Sequence, residues 1–181
     1  MIRIRAASIL TVLALVVTTI GLLAGSVGSA SAEKAELGQQ YDPGTPAHLD
    51  IRRIAVDNRQ AVVKVSVKLA KFAPRRTSAY AVLQNERHRR GPYYVVGWSQ
   101  LTDDSIPKGK VLIKINRRGS ATPVRCAGLK ITINKKRGLI QASVPQRCLG
   151  STAGTLLVSA LSERPDGHDV DELGTLRVRR G

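Results

Sequence analysis

Apolar side chains fall at every second position through much of this chain. In residues 61–69, Val63, Val65, Val67 and Leu69 share one side, while Val62, Lys64, Ser66 and Lys68 share the other. Successive side chains of an extended backbone point to opposite faces, so the spacing predicts a strand with one buried side. The same alternation sets Val111, Ile113 and Ile115 against Leu112, Lys114 and Asn116. It sets Leu129, Ile131 and Ile133 against Lys130, Thr132 and Asn134, and it recurs in Ile140, Ala142 and Val144 and in Leu156, Val158 and Ala160. Weaker runs stand at 49–56, 79–84, 93–98 and 176–178. Gly, Pro, Asn or charged clusters separate most of them, and the 3.6-residue stripe of an amphipathic helix is missing after the first 32 residues. About nine short strands with frequent turns predict an all-β fold, an antiparallel jelly-roll-like β-sandwich.

One pairing can be worked out in advance. Residues 129–133 and 139–144 form a hairpin around 134–138, and placing Ile133 opposite Ile140 puts Leu129 opposite Val144. Extended outward, Cys126 faces Arg147, so Cys148 is one residue out of register. A bulge or a strand end corrects such an offset. Cys126 and Cys148 are the only cysteines. Their spacing is not that of a redox C-x-x-C pair, so they are expected to form a structural disulfide across the open end of the hairpin.

The first 32 residues read differently. Arg3 and Arg5 give a basic start, residues 6–24 are apolar without a charge, and Ala30-Ser31-Ala32 precedes Glu33. Those are the three parts of a secretory signal, with cleavage expected after Ala32. The competing reading is an uncleaved anchor, because the run approaches the roughly 20 residues that span a bilayer. The expected organisation is a signal peptide at 1–32, a Gly- and Pro-containing lead-in segment at 33–46 and one sandwich domain at 47–181. Export to a secreted or wall-associated location also suits a disulfide.

Charge adds a surface property. The chain carries 29 Lys and Arg against 13 Asp and Glu, and losing Arg3 and Arg5 with the leader leaves a net +14. Such a surface attracts anionic polymers through fields that salt screens. The basic groups cluster at expected turns, among them Arg87, Arg89 and Arg90. With Tyr93, Tyr94 and Trp98 just beyond, this segment is the candidate ligand surface. The plainer reading makes the charges a solvated face and lets Tyr94, Val96 and Trp98 fill core. Nucleic acid is disfavoured, since its binding domains interleave exposed aromatics with their basic groups.

Catalytic and metal motifs do not emerge. His48, His88 and His168 lack ligand spacing, and no G-x-S-x-G stands in the chain. The stretch from Asp169 to Gly174 begins like a calcium loop but has Leu173 at the fifth position and Arg180 where a bidentate Glu belongs. A looser calcium site would draw on Asp42, Asp50, Asp169 and Asp171, although a polar loop explains the acidic run equally well. No other cofactor is called for.

Three segments carry a resemblance: residues 41–54, beginning Tyr-Asp-Pro-Gly-Thr-Pro; residues 91–98, Gly-Pro-Tyr-Tyr-Val-Val-Gly-Trp; and residues 144–150, Val-Pro-Gln-Arg-Cys-Leu-Gly. Together they resemble a group of small exported actinobacterial proteins of unassigned function. The opening Asp-rich turn is similar to extracellular sandwich domains of the DOMON and carbohydrate-binding type. The resemblance implies a sandwich of about nine strands and glycan binding, with no catalytic residue. The function expected from residues and resemblance together is a secreted, non-enzymatic module acting on a glycan or anionic wall polymer. The alternatives are an accessory envelope protein without a specific ligand and a small glycan hydrolase with a carboxylate pair.

Overall fold

The alternating runs become strands, and the strands make two antiparallel sheets. The structure is a computed structural model describing residues 34–39, 42–102, 106–150 and 154–181. The leader expected at 1–32 lies outside the described residues.

In chain order the strands are β1 (Lys34–Gly38), β2 (Ile51–Asn58), β3 (Val62–Leu69), β4 (Ser78–Asn85), β5 (Tyr93–Ser99), β6 (Gly109–Ile115), β7 (Ala121–Pro123), β8 (Lys130–Asn134), β9 (Leu139–Pro145), β10 (Leu156–Glu163) and β11 (Val170–Val178). The five-stranded sheet has the order β1-β2-β3-β9-β8, and the six-stranded sheet the order β11-β10-β4-β5-β6-β7. Each sheet is therefore a meander, β1-β2-β3 or β4-β5-β6-β7, with one hairpin, β8–β9 or β10–β11, added beside β3 or β4. Ile54, Val65, Val67, Ile140 and Val144 of one sheet share a buried cluster with Ala81, Leu83, Val96, Leu156 and Val158 of the other. Burial of these branched chains supplies the main driving force for folding.

Eleven strands are described where about nine were expected. The additions are β1, inside the lead-in segment, and β7, three residues long. Both are short edge strands defined by the longer strand they pair with. β1 is held along β2, with Leu37 opposite Ile54, and β7 along β6. Pro123 cannot donate to a ladder, which suits an edge. β11 is also longer than expected, so Asp171 and Glu172 stand on a strand opposite Ser162 and Leu161.

One face assignment is reversed. Val111, Ile113 and Ile115 were expected to face the core, yet Leu112 joins the inter-sheet cluster, opposite Val96. Val111, Ile113 and Ile115 are buried on the other side of the sheet, in rows with Gly97, Val95 and Tyr93. Three consecutive apolar residues make both faces of β6 hydrophobic, so alternation alone cannot orient it.

The β8–β9 hairpin has the expected register, with Ile133 opposite Ile140 and Ile131 opposite Ala142. Gly138 closes it at φ 59°, and a Cβ there would stand 2.6 Å from the Leu69 carbonyl oxygen. Glycine is required for both reasons. The one-residue offset of Cys148 is resolved where the strand ends. After Pro145 the chain enters a 3-10 turn, Gln146–Leu149, which carries Cys148 to Cys126 with their Cα atoms 5.7 Å apart.

Candidate functional site

The basic segment after β4 forms a short, pinned turn. Asn85, buried at the end of β4, accepts a hydrogen bond from the Arg87 backbone N–H at 2.9 Å through its side-chain oxygen and caps the 3-10 turn Glu86–His88. Such a cap satisfies a backbone donor that the turn leaves unpaired. Gln84 donates through its side-chain amide to the Arg89 carbonyl at 2.8 Å. The Gly91 N–H donates to the His88 carbonyl at 2.6 Å, and the Glu86 N–H to the Thr155 carbonyl at 3.0 Å. Four arginines, Arg87, Arg89, Arg90 and Arg117, line an open cleft of about 520 Å³ with His88 between them.

Glu86 is the carboxylate at this cleft, and it is occupied. Arg177 on β11 donates to it through Nε at 2.8 Å and Nη2 at 2.9 Å, and Arg89 lies 3.7 Å away. The Arg177 hydrogen bond holds the Glu86 carboxyl below its usual range. Arg87, Arg90 and Arg117 have no carboxylate partner among the described residues. The result is an anion-attracting cleft whose backbone is already ordered.

The aromatic residues do not join the arginines on one platform. Tyr93 is half-buried beside Gln84 at the foot of the turn, and burial pushes its hydroxyl up to about 12. Tyr94 faces the inter-sheet core. Trp98 sits at the far end of β5, about 17 Å along the strand from Tyr93. It meets Phe72 edge to face, with ring centroids 6.3 Å apart, and its indole N–H donates to the Pro74 carbonyl at 3.0 Å.

The structure brings Asp42 and Asp171 near Asp50, but each of the four calcium candidates is engaged by partners within the protein. Asp42 accepts from the Gly44 N–H at 2.8 Å and the Thr45 hydroxyl at 2.9 Å, which lowers its pKa. Asp50 is buried, raised in pKa chiefly by that burial, and ion-paired with Arg52 at 2.9 Å. Asp171 accepts from the Ile51 N–H at 2.7 Å and the Gln39 amide at 3.3 Å, tying β11 to the start of β2. Asp169 pairs with Arg164 at 3.1 Å. Among the described residues, no group of three or more His, Cys, Asp and Glu side chains is placed to hold a metal ion.

A second concavity was not evident from the sequence. On the solvent side of the five-stranded sheet, a shallow groove of about 490 Å³ is lined by Lys34, Asp57, Lys64, Lys130 and Ser143, among others. Alternation marked Lys64 and Lys130 as outward positions, but nothing in the linear order joins five strands.

Fold and surface together define a disulfide-bonded, antiparallel two-sheet β protein with an arginine-lined cleft. Comparison with protein-family models and with curated proteins finds no match to this chain.

Proposed function

We propose that this chain is an exported, non-enzymatic docking module that holds a phosphate-bearing polymer of the cell envelope through the arginine cleft. The observation that carries the reading is the convergence of Arg87, Arg90 and Arg117, without carboxylate partners, on a turn pinned by Asn85 and Gln84. The planar guanidinium fork matches phosphate oxygens in pairs, and a preordered backbone lowers the entropy lost on binding. The secretory leader expected at 1–32 and the Cys126–Cys148 disulfide support a location outside the cell, where wall polymers supply such anions. The glycan-binding resemblance of the sandwich supports a polymer ligand of the same compartment. The two carboxylates in the other groove, Glu36 and Asp57, are each ion-paired with an arginine, which argues against a hydrolase reading.

The test compares the chain beginning at Glu33 with its Arg87→Ala/Arg89→Ala/Arg90→Ala variant on immobilised poly(glycerol phosphate). Losing these charge-assisted contacts is expected to weaken binding at low salt by at least about tenfold. The wild-type affinity is expected to fall as salt rises. Equal affinities for the two proteins at low salt would overturn the reading.

A further inference from the structure

The groove on the five-stranded sheet has an order that the arginine cleft lacks. Strand register places Lys34 opposite Asp57, Asp57 opposite Lys64, Lys64 opposite Ser143 and Ser143 opposite Lys130. Directly paired residues point to the same face, so these five side chains form one row across the whole sheet. Neighbouring strands lie about 4.8 Å apart, so the lysines, on every second strand, recur at about 10 Å and span about 20 Å. Beside this row runs a second, in which Glu36, Ala55, Ser66, Gln141 and Thr132 stand opposite one another in turn.

The charges within the two rows are unequal in availability. Arg59 holds Asp57, with Nε 3.0 Å from both carboxylate oxygens. Arg53 holds Glu36 at 3.2 Å. Lys34, Lys64 and Lys130 have no carboxylate partner among the described residues. What remains is a line of three evenly spaced cations flanked by the hydroxyls of Ser66, Thr132 and Ser143 and the amide of Gln141. Hydroxyl and amide groups both donate and accept, as recognition of sugar hydroxyls requires.

We infer that this groove is a second binding site, separate from the arginine cleft, and that its ligand is an acidic polysaccharide carrying one carboxylate on every second sugar. The polysaccharide lies across the strands, its carboxylates fall on Lys34, Lys64 and Lys130, and the intervening sugars lie over Asp57 and Ala55 on β2 and over Ser143 and Gln141 on β9. Three properties of the face select this class. A repeat of about 10 Å matches a two-sugar unit of an extended chain, set by the strand spacing. The five strands contain no aromatic residue, so unpaired bases find no ring to stack on. The exposed positions of the two rows are charged, hydroxylic or amide side chains, which gives a lipid surface no large apolar side chain to bury.

The experiment measures binding of the chain beginning at Glu33 to oligosaccharides of alternating uronic acid and N-acetylhexosamine, from four to ten sugars, by titration calorimetry. The same oligosaccharides with carboxylates reduced to alcohols, and poly(glycerol phosphate), are titrated in parallel. Affinity is expected to rise with length until three carboxylates are present and then level off. Lys64→Gln, at the centre of the row, is expected to weaken it by about tenfold, as are Lys34→Gln and Lys130→Gln for the longer chains. The reduced oligosaccharides are expected to bind at least tenfold more weakly, on the same arithmetic. Arg87→Ala/Arg89→Ala/Arg90→Ala is expected to leave uronate binding unchanged, so loss of the arginine reading and loss of this one are separately visible. Unchanged affinity in Lys64→Gln with an unaltered melting curve overturns the inference. So does poly(glycerol phosphate) binding that falls in parallel with uronate binding in all three lysine variants, because that outcome describes an unselective cationic face.

Discussion

Gln146 donates through its side-chain amide to the Asn58 side-chain oxygen at 2.7 Å, and both side chains are buried. The two residues lie 88 positions apart, one ending β2 and the other opening the turn after β9. Asn58 in turn donates to the carbonyls of Val178 and Gly154, both at 3.2 Å. One amide therefore ties the five-stranded sheet to the last strand of the six-stranded sheet.

Asn58→Ala leaves a buried carbonyl and part of the Gln146 amide without partners. The expected cost is about 2–3 kcal/mol in urea denaturation, the scale of a buried polar group deprived of its bond. Asn58→Asp is expected to be worse at neutral pH, because a carboxylate would face two carbonyl oxygens in place of an amide donor. Alanine and aspartate variants as stable as the wild type would show that the network contributes nothing.

Reduction of Cys126–Cys148 opens a loop with a sequence separation of 22. The loop-entropy relation gives about 3 kcal/mol of lost stability. The β8–β9 pairing does not depend on the bond, since its ladder and the Ile131, Ile140 and Val144 side chains remain in the core. Far-ultraviolet circular dichroism is expected to persist while the denaturation midpoint falls. Collapse of the strand signal on reduction would contradict this.

Glu163, at the end of β10 opposite Ser78, is buried and its carboxyl is pushed up to about 7 from 4.5, with burial as the cause. The folded protein therefore keeps this proton more tightly than the unfolded chain does. Its contribution to stability is full below about 4.5 and is lost as pH rises through about 7. Glu163→Gln is expected to flatten the pH dependence across that window. At pH about 8 it is expected to be more stable than the wild type by up to about 3 kcal/mol. Parallel stability profiles for the two proteins between acid and alkaline pH would refute the assignment.

Local pattern determined a large part of this protein. Alternation in β3, β8 and β9 needs no distant information, because a strand with one hydrophobic side can bury only that side. The hairpin register followed from Ile133 and Ile140, whose alignment keeps both strands' apolar faces together. Tertiary pairing decided the rest. Val111-Leu112-Ile113 is apolar on both sides, so only the match of Leu112 to Val96 fixes which side joins the inter-sheet core. Residues 34–38 are too short to define a strand alone, and the free edge of β2 supplies their partners. The same non-local pairing built the candidate sites: Arg177 neutralises Glu86 from 91 residues away, and five strands bring Lys34, Lys64 and Lys130 into one row. A sequence states which face each residue takes, but the neighbours across that face are set by sheet order, and sheet order depends on contacts between distant segments.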